Sequence, residues 1–185
     1  CTVLKVGVES GDDELLRRMR KGVTVRQTRE FFANCHAVGI APHAHIMFGV
    51  PGETRESLQR TIALIFEIEP ATVDIGIMMP YPGSVVFEEY KHLLDLSQLH
   101  DDLNFGTLHT TTDFSQLWTD VPADDLYRLQ KATYRRFYLR PTYLIRSLGT
   151  VENWASFARL VHSCLSILQF GLTGDRGRLI HDLPV

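Results

Sequence analysis

Two short segments, Gly7-Val8-Glu9-Ser10-Gly11 and Gly49-Val50-Pro51-Gly52-Glu53-Thr54, each close an apolar strand-like run and precede a helix-like one. Strand, glycine-rich polar turn and helix, repeated at a βα interval, put both turns on one rim of a parallel sheet, because parallel strands need a helix-length crossover. In open α/β sheets and in α/β barrels that rim is where ligands bind.

Composition narrows the class. With 185 residues, 44% of them hydrophobic and 22% charged, the chain can bury one core of ordinary size. A formal charge of −3 leaves no electrostatic footprint for nucleic acid. Cys1, Cys35 and Cys164 are too few and too far apart for a disulfide framework or a chain-internal zinc site, and a reducing cytoplasm is the simplest setting. There is no apolar run of the roughly 18 residues that a transmembrane helix needs, and Lys5, Glu9 and Asp12 interrupt the start where a signal peptide would lie. The first residue is Cys1, and an apolar strand follows at once. That start reads as a cut edge with a neighbouring strand missing.

The pattern predicts a strand over 2–8 around Val3, Val6 and Val8, then a helix over 12–20 with acids first and Arg17, Arg18 and Arg20 last, as the helix dipole favours. A helix over 25–37 aligns Phe31, Cys35 and Val38 and stops at Gly39. A strand over 40–48 follows. Thr54 can cap a helix whose Leu58, Ile62, Ile65 and Phe66 form one apolar face before Pro70. A third strand over 72–79 leads through Pro80-Tyr81-Pro82-Gly83-Ser84 into a helix over 85–94. Residues 95–121 read as a rim-covering loop. Pro122 then opens a helix over 123–140, Pro141 starts another, and a last one spans 152–169. The fold class is α/β, with segments 1–94, 95–121 and 122–185.

Several residues could carry chemistry. Glu9 and Ser10 can offer a carboxylate and a hydroxyl to a ligand, while Ser10 or Asp12 can equally cap the next helix. Lys21 can return over the rim or serve a helix C-terminus. His43 and His45 share one face of their strand, which raises a metal-dependent hydrolase as an alternative. That alternative needs further ligands; the third strand supplies no His, and Asp74 is placed at its wrong end. Gly49 to Glu53 allows close backbone approach, and Pro80 to Gly83 forms an apolar lip. Arg135-Arg136-Phe137-Tyr138-Leu139-Arg140-Pro141 with Arg146 is a basic, aromatic patch, read as a solvated helix face with an aromatic back or as a docking surface.

These segments, together with Leu16-Arg17-Arg18-Met19-Arg20-Lys21-Gly22 and Phe48-Gly49-Val50-Pro51-Gly52-Glu53-Thr54, resemble the second half of the radical S-adenosylmethionine (SAM) barrel. With Arg136 to Pro141 downstream, the chain looks like the branch that carries a cobalamin-binding domain upstream, the anaerobic magnesium-protoporphyrin ester cyclase group and its methyltransferase relatives. The resemblance covers about residues 1–146. It implies a partial (βα)6 TIM-like barrel holding the fourth to sixth strands, followed by C-terminal helices.

By that resemblance Glu9 and Ser10 contact the ribose or methionine part of SAM, and Lys21 meets its carboxylate. His45 and Met47 border the ribose and adenine, Gly49, Pro51, Gly52 and Glu53 shape that wall, and Met79, Pro80 and Tyr81 face the adenine. The family's three cluster cysteines, spaced Cys-x3-Cys-x2-Cys, would precede this chain, and none of its own cysteines replaces them. The resemblance therefore implies an enzyme whose [4Fe–4S] cluster cleaves SAM to a 5′-deoxyadenosyl radical for cobalamin-linked methylation or oxidative cyclisation of a small molecule. The upstream half-barrel and cobalamin domain would be its partners, and this chain alone would be silent. The alternative of another class is a non-catalytic binding module that lost the cluster.

Overall fold

The structure, a computed structural model, describes residues 1–79, 81–93 and 118–149 together with positions 161, 162 and 165. Residues Cys1–Leu126 and Tyr127–Val185 form two compact units.

Three strands, β1 (Val3–Glu9), β2 (Ala41–Phe48) and β3 (Thr72–Ile77), form a parallel sheet in the order β1-β2-β3. Between β1 and β2 lie α1 (Asp13–Arg18) and α2 (Val25–Ala37), and α3 (Arg55–Ile68) joins β2 to β3. The α/β class and the βα order follow the sequence pattern. After β3 come α4 (Val85–Tyr90), a 3-10 turn at Lys91–Leu93, α5 (Ala123–Tyr138) and α6 (Pro141–Gly149).

Caps set the helix starts. Asp12 accepts from the amides of Glu14 and Leu15, so the helix dipole and two orphan donors are met by one carboxylate. Thr24 with Gln27 and Thr54 with Ser57 form reciprocal capping boxes on α2 and α3. Of the two cap candidates before α1, Asp12 takes the role.

The ends and faces differ in detail from the periodicity. Helix α1 stops at Arg18, and Arg20 lies beyond it with φ 54°. On α2 the buried positions are Val25, Thr28, Phe32 and Cys35, while Phe31 is half-buried and Val38 is exposed. Val38 fails as a core residue because it is the C-cap, where the chain has already left helical geometry. On α3, Leu58, Thr61, Leu64, Ile65 and Ile68 are buried, and Ile62 and Phe66 stand at the margin. Strand β3 ends at Ile77, although the amide of Met78 still bonds the carbonyl of Phe48. Pro80, most of the 95–121 segment and most of the expected 152–169 helix lie outside the described residues.

The sheet has two unlike faces. Pro42, Ala44, Ile46 and Phe48 of β2 are buried, as are Val73 and Ile75 of β3; α2 and α3 touch β2 and each other. The alternate residues His43, His45 and Met47, with Thr72 and Asp74 in register, are only partly covered. The strand period of two therefore separates an apolar face from a polar one.

In the second unit an aromatic group backs the basic patch. Tyr143 lies 5.8 Å from Phe137 and 4.9 Å from Tyr138 between ring centroids, and the Arg140 guanidinium sits 4.2 Å from the Phe137 centroid. Arg135, Arg136 and Arg146 are exposed, so the patch is a basic helix face with an aromatic back. Among the described residues no helix is long and apolar enough to cross a membrane.

Candidate functional site at the strand ends

The end of β1 is irregular. Its pairing with β2 shifts between Gly7 and Glu9, and Glu9 takes φ 62°, a left-handed conformation that a non-glycine residue adopts at a cost of order 1 kcal/mol. There its carboxylate meets Lys21, whose Nζ lies 2.8 Å from Glu9 Oε1. Lys21 thus returns over the rim, the reading that local spacing alone left open. A Cβ on Gly7 would stand 2.7 Å from Lys21 Nζ and collide with Glu9 Oε1. The ion pair therefore occupies the space a side chain at position 7 would fill.

Gly7 is registered with His45 on β2, so the pair and the imidazole are neighbours on the polar face. His45 in turn is registered with Asp74 of β3, and Nδ1 lies 3.3 Å from Asp74 Oδ2. Asp74 lies in the first half of β3, as the sequence places it, yet the register brings it level with His45. Strand β3 begins opposite His43, so its third residue stands beside the middle of β2. His43 Nδ1 contacts Thr72 Oγ1. Its pKa is lowered by burial first and then by the neighbouring His45 and by Lys5, against the attraction of Asp74.

Two further candidates lie inside. Ser10 is fully buried; its hydroxyl is 3.2 Å from Thr61 Oγ1, which also accepts from the amide of Gly11 at 2.9 Å. Glu53 is fully buried as well, with Oε2 accepting from the amide of Gly49 at 2.6 Å and Oε1 without a hydrogen-bond partner. Burial pushes its pKa up to about 7, against the lowering influence of the Gly49 and Val50 amides.

Trp118, which no sequence pattern singles out, braces the turn containing Glu53. Its indole Nε1 donates to the carbonyl of Gly49 at 2.7 Å, its carbonyl accepts from Gly52 at 2.8 Å, and the amide of Asp120 donates to the carbonyl of Glu53 at 3.2 Å. Gly52, at φ 78°, lies under the Arg18 guanidinium, which a Cβ there would strike. The only prior signal for Trp118 was its membership of the segment read as a rim cover.

Glu9, Lys21, His45 and Met47 thus come together on the polar side of the strand ends, and Ser10, Gly49 and Glu53 lie beneath. Pro51 and Met79 are half-buried, whereas Gly52 and Tyr81 are exposed. The donor set suits a zwitterionic, hydroxyl-bearing ligand: a carboxylate and an ammonium side by side, with an imidazole next to them. It does not suit an iron–sulfur cluster. Among the described residues no group of three His, Cys, Asp or Glu side chains could hold a metal ion, with Cys1 exposed and Cys35 buried.

Residues 1–65 match the family described as the radical SAM superfamily. Among curated proteins, the chain is 26% identical over 148 residues to an uncharacterized methyltransferase of Pyrococcus horikoshii, covering 80% of this chain and 31% of that protein. It is 25% identical over 162 residues to the bacteriochlorophyllide d C-12(1)-methyltransferase of Chlorobaculum tepidum, covering 87% of this chain and 34% of the other. A probable threonylcarbamoyladenosine tRNA methylthiotransferase of Pyrococcus abyssi is 34% identical over 84 residues, covering 44% of this chain and 20% of that protein. The chain spans about a third of the length of the first two.

Proposed function

We propose, for a chain that belongs to the radical SAM superfamily through its first 65 residues, that the polar sheet face is one wall of a SAM site in a methyl-transferring enzyme. The observation that carries this is the Glu9–Lys21 pair held over Gly7 beside His45. The methyltransferase and methylthiotransferase names among the relatives support enzyme status and methylation as the reaction class.

The chemistry of the wall follows from its charges. The methionine end of SAM carries an ammonium and a carboxylate, which Glu9 and Lys21 can receive in turn. Both partners are partly exposed, 20% for Glu9 and 33% for Lys21, so their mutual attraction is worth about 1 kcal/mol or less and is readily traded for a ligand's. His45 offers a ring nitrogen to a sugar hydroxyl, and Met47, Met79, Pro80 and Tyr81 supply surface to a purine. Ser10, Gly49, Pro51, Gly52 and Glu53 shape and brace the wall. With SAM bound there, a [4Fe–4S] cluster held outside this chain would supply the electron that cleaves it into methionine and a 5′-deoxyadenosyl radical.

The strands would be the fourth to sixth of a (βα)6 barrel, whose lumen the polar face would line. An upstream half-barrel would hold the cluster and an upstream domain the cobalamin, in a cytoplasmic protein acting on a small molecule. The segments 1–94, 95–121 and 122–185 would be half-barrel, rim cover and helical extension.

Equilibrium dialysis of the full chain against labelled SAM tests the wall. Saturable binding that falls about tenfold in Lys21→Ala and in Glu9→Gln is expected, as for loss of a charge-assisted contact. Absence of binding, or binding indifferent to both substitutions, overturns the assignment.

A further inference from the structure

Each histidine of β2 turns Nδ1 toward the residue directly opposite on β3. His43 is in register with Thr72 and His45 with Asp74; His43 Nδ1 meets Thr72 Oγ1, and His45 Nδ1 lies 3.3 Å from Asp74 Oδ2. The two rings are 4.6 Å apart between centroids and tilted by 58°. In an imidazole the two nitrogens lie on opposite edges, so a ring engaged through Nδ1 turns Nε2 away from that partner. For His45 this is the edge away from β3; on the other side of β2, β1 carries Gly7 and the Glu9–Lys21 pair.

An ionised carboxylate has no proton to give and can only accept. Beside neutral His45 it therefore favours the tautomer with the proton on Nδ1, in the way a buried aspartate selects the imidazole tautomer of a catalytic triad. The second ring does not upset this choice. Burial favours the neutral form of His43, which disfavours an imidazolium next to His45.

We propose that Asp74 is the positioning residue of His45: by accepting the Nδ1 proton it leaves Nε2 as a lone-pair acceptor on the polar face, for a hydroxyl donor on the sugar of a nucleoside ligand. The ligand named here rests on the SAM wall proposed above; the tautomer does not. His45 then reads a neutral donor while Glu9 and Lys21 read charge, and the three act on different parts of one molecule. Asp74 never touches the ligand.

Two-bond 1H–15N correlation spectra of the 15N-histidine-labelled full chain at about pH 8, above the ordinary histidine range, test the tautomer. His45→Gln assigns the signal. The expected result is Nδ1–H in the unsubstituted chain and Nε2–H in Asp74→Asn, whose amide can donate to Nδ1. Asp74→Ala should also move to Nε2–H, the form neutral imidazole prefers in water. The Asp74 side chain is 42% exposed, so neither substitution empties the core. Nε2–H in the unsubstituted chain, or Nδ1–H retained in both variants, overturns the role of Asp74.

A SAM titration of the same proteins tests the ligand. Affinity should fall about fivefold in Asp74→Asn, and His45→Ala should add little to that loss, since both remove one hydrogen bond. A tautomer that flips while affinity stays unchanged overturns the hydroxyl acceptor. No saturable binding in the unsubstituted chain overturns the SAM wall, and the ligand named here with it, while the spectra still decide what Asp74 does.

Discussion

Lys21 and Glu9 meet at 2.8 Å directly over the α-carbon of Gly7. The contact joins the residue that ends β1 to one two residues past the C-cap of α1, and it closes only because position 7 has no side chain. A loop geometry, an ion pair and a glycine thus depend on one another at the rim.

Gly7→Ala should separate recognition from folding. The new Cβ would displace the pair, a partly exposed contact worth about 1 kcal/mol or less, so urea unfolding should shift little. SAM affinity should fall about tenfold, because both charges leave the positions a zwitterion requires. Equal affinity in the variant would remove the pair from recognition.

Glu53 should make stability fall as pH rises. Its folded pKa of about 7 exceeds the ordinary 4.5, so the folded state binds the proton more tightly. Its contribution is full below about pH 4.5 and lost as pH rises through about 7, in total roughly 3 kcal/mol. Glu53→Gln, which keeps an oxygen for the Gly49 amide, should flatten that part of the profile and exceed the parent in stability at pH 8. Parallel profiles in urea denaturation between pH 5 and 8 would contradict a buried, protonated carboxyl.

Trp118→Phe should cost about 1–3 kcal/mol, because it leaves the buried carbonyl of Gly49 without the indole donor. The amide of Gly52, bonded to the Trp118 carbonyl, should exchange faster with deuterium if the brace loosens. Trp118→Ala should cost more, about 3–5 kcal/mol. Unchanged exchange at Gly52 in both variants would show that the turn holds itself.

Thr61→Val should destabilise by about 1–3 kcal/mol, since the methyl cannot accept from the Gly11 amide or meet the Ser10 hydroxyl. Ser10→Ala should cost about 1 kcal/mol and leave SAM affinity untouched, as befits a buried clamp between the β1 turn and α3. A drop in affinity with normal stability would place Ser10 in the ligand shell instead.

The course of the chain was legible because its signals are local. Apolar runs of period two, helical faces of period 3.6 and the residues Asp12, Thr24 and Thr54 at cap positions all act within a few residues of themselves. Where a local rule met a boundary it slipped: Val38 continues the apolar spacing of α2 but falls on the cap and stays exposed. The candidate site is legible in part. Lys21 is singled out by a family likeness where spacing alone leaves two roles open, and the pairing of Asp74 with His45 is not legible, because the register of β3 against β2 is not written in either strand.

The βα order, the rim on which the glycine turns fall and the chemical character of the residues there can be read along the chain. That Asp74 stands beside His45, that Ser10 and Glu53 are interior and that Trp118 braces the Gly49 turn emerges only in three dimensions. The pairings of Asp74 with His45, of Ser10 with Thr61 and of Trp118 with Gly49 join residues 29, 51 and 69 positions apart. They arise when strand register and helix packing are settled together, under the requirement that buried donors and acceptors find partners.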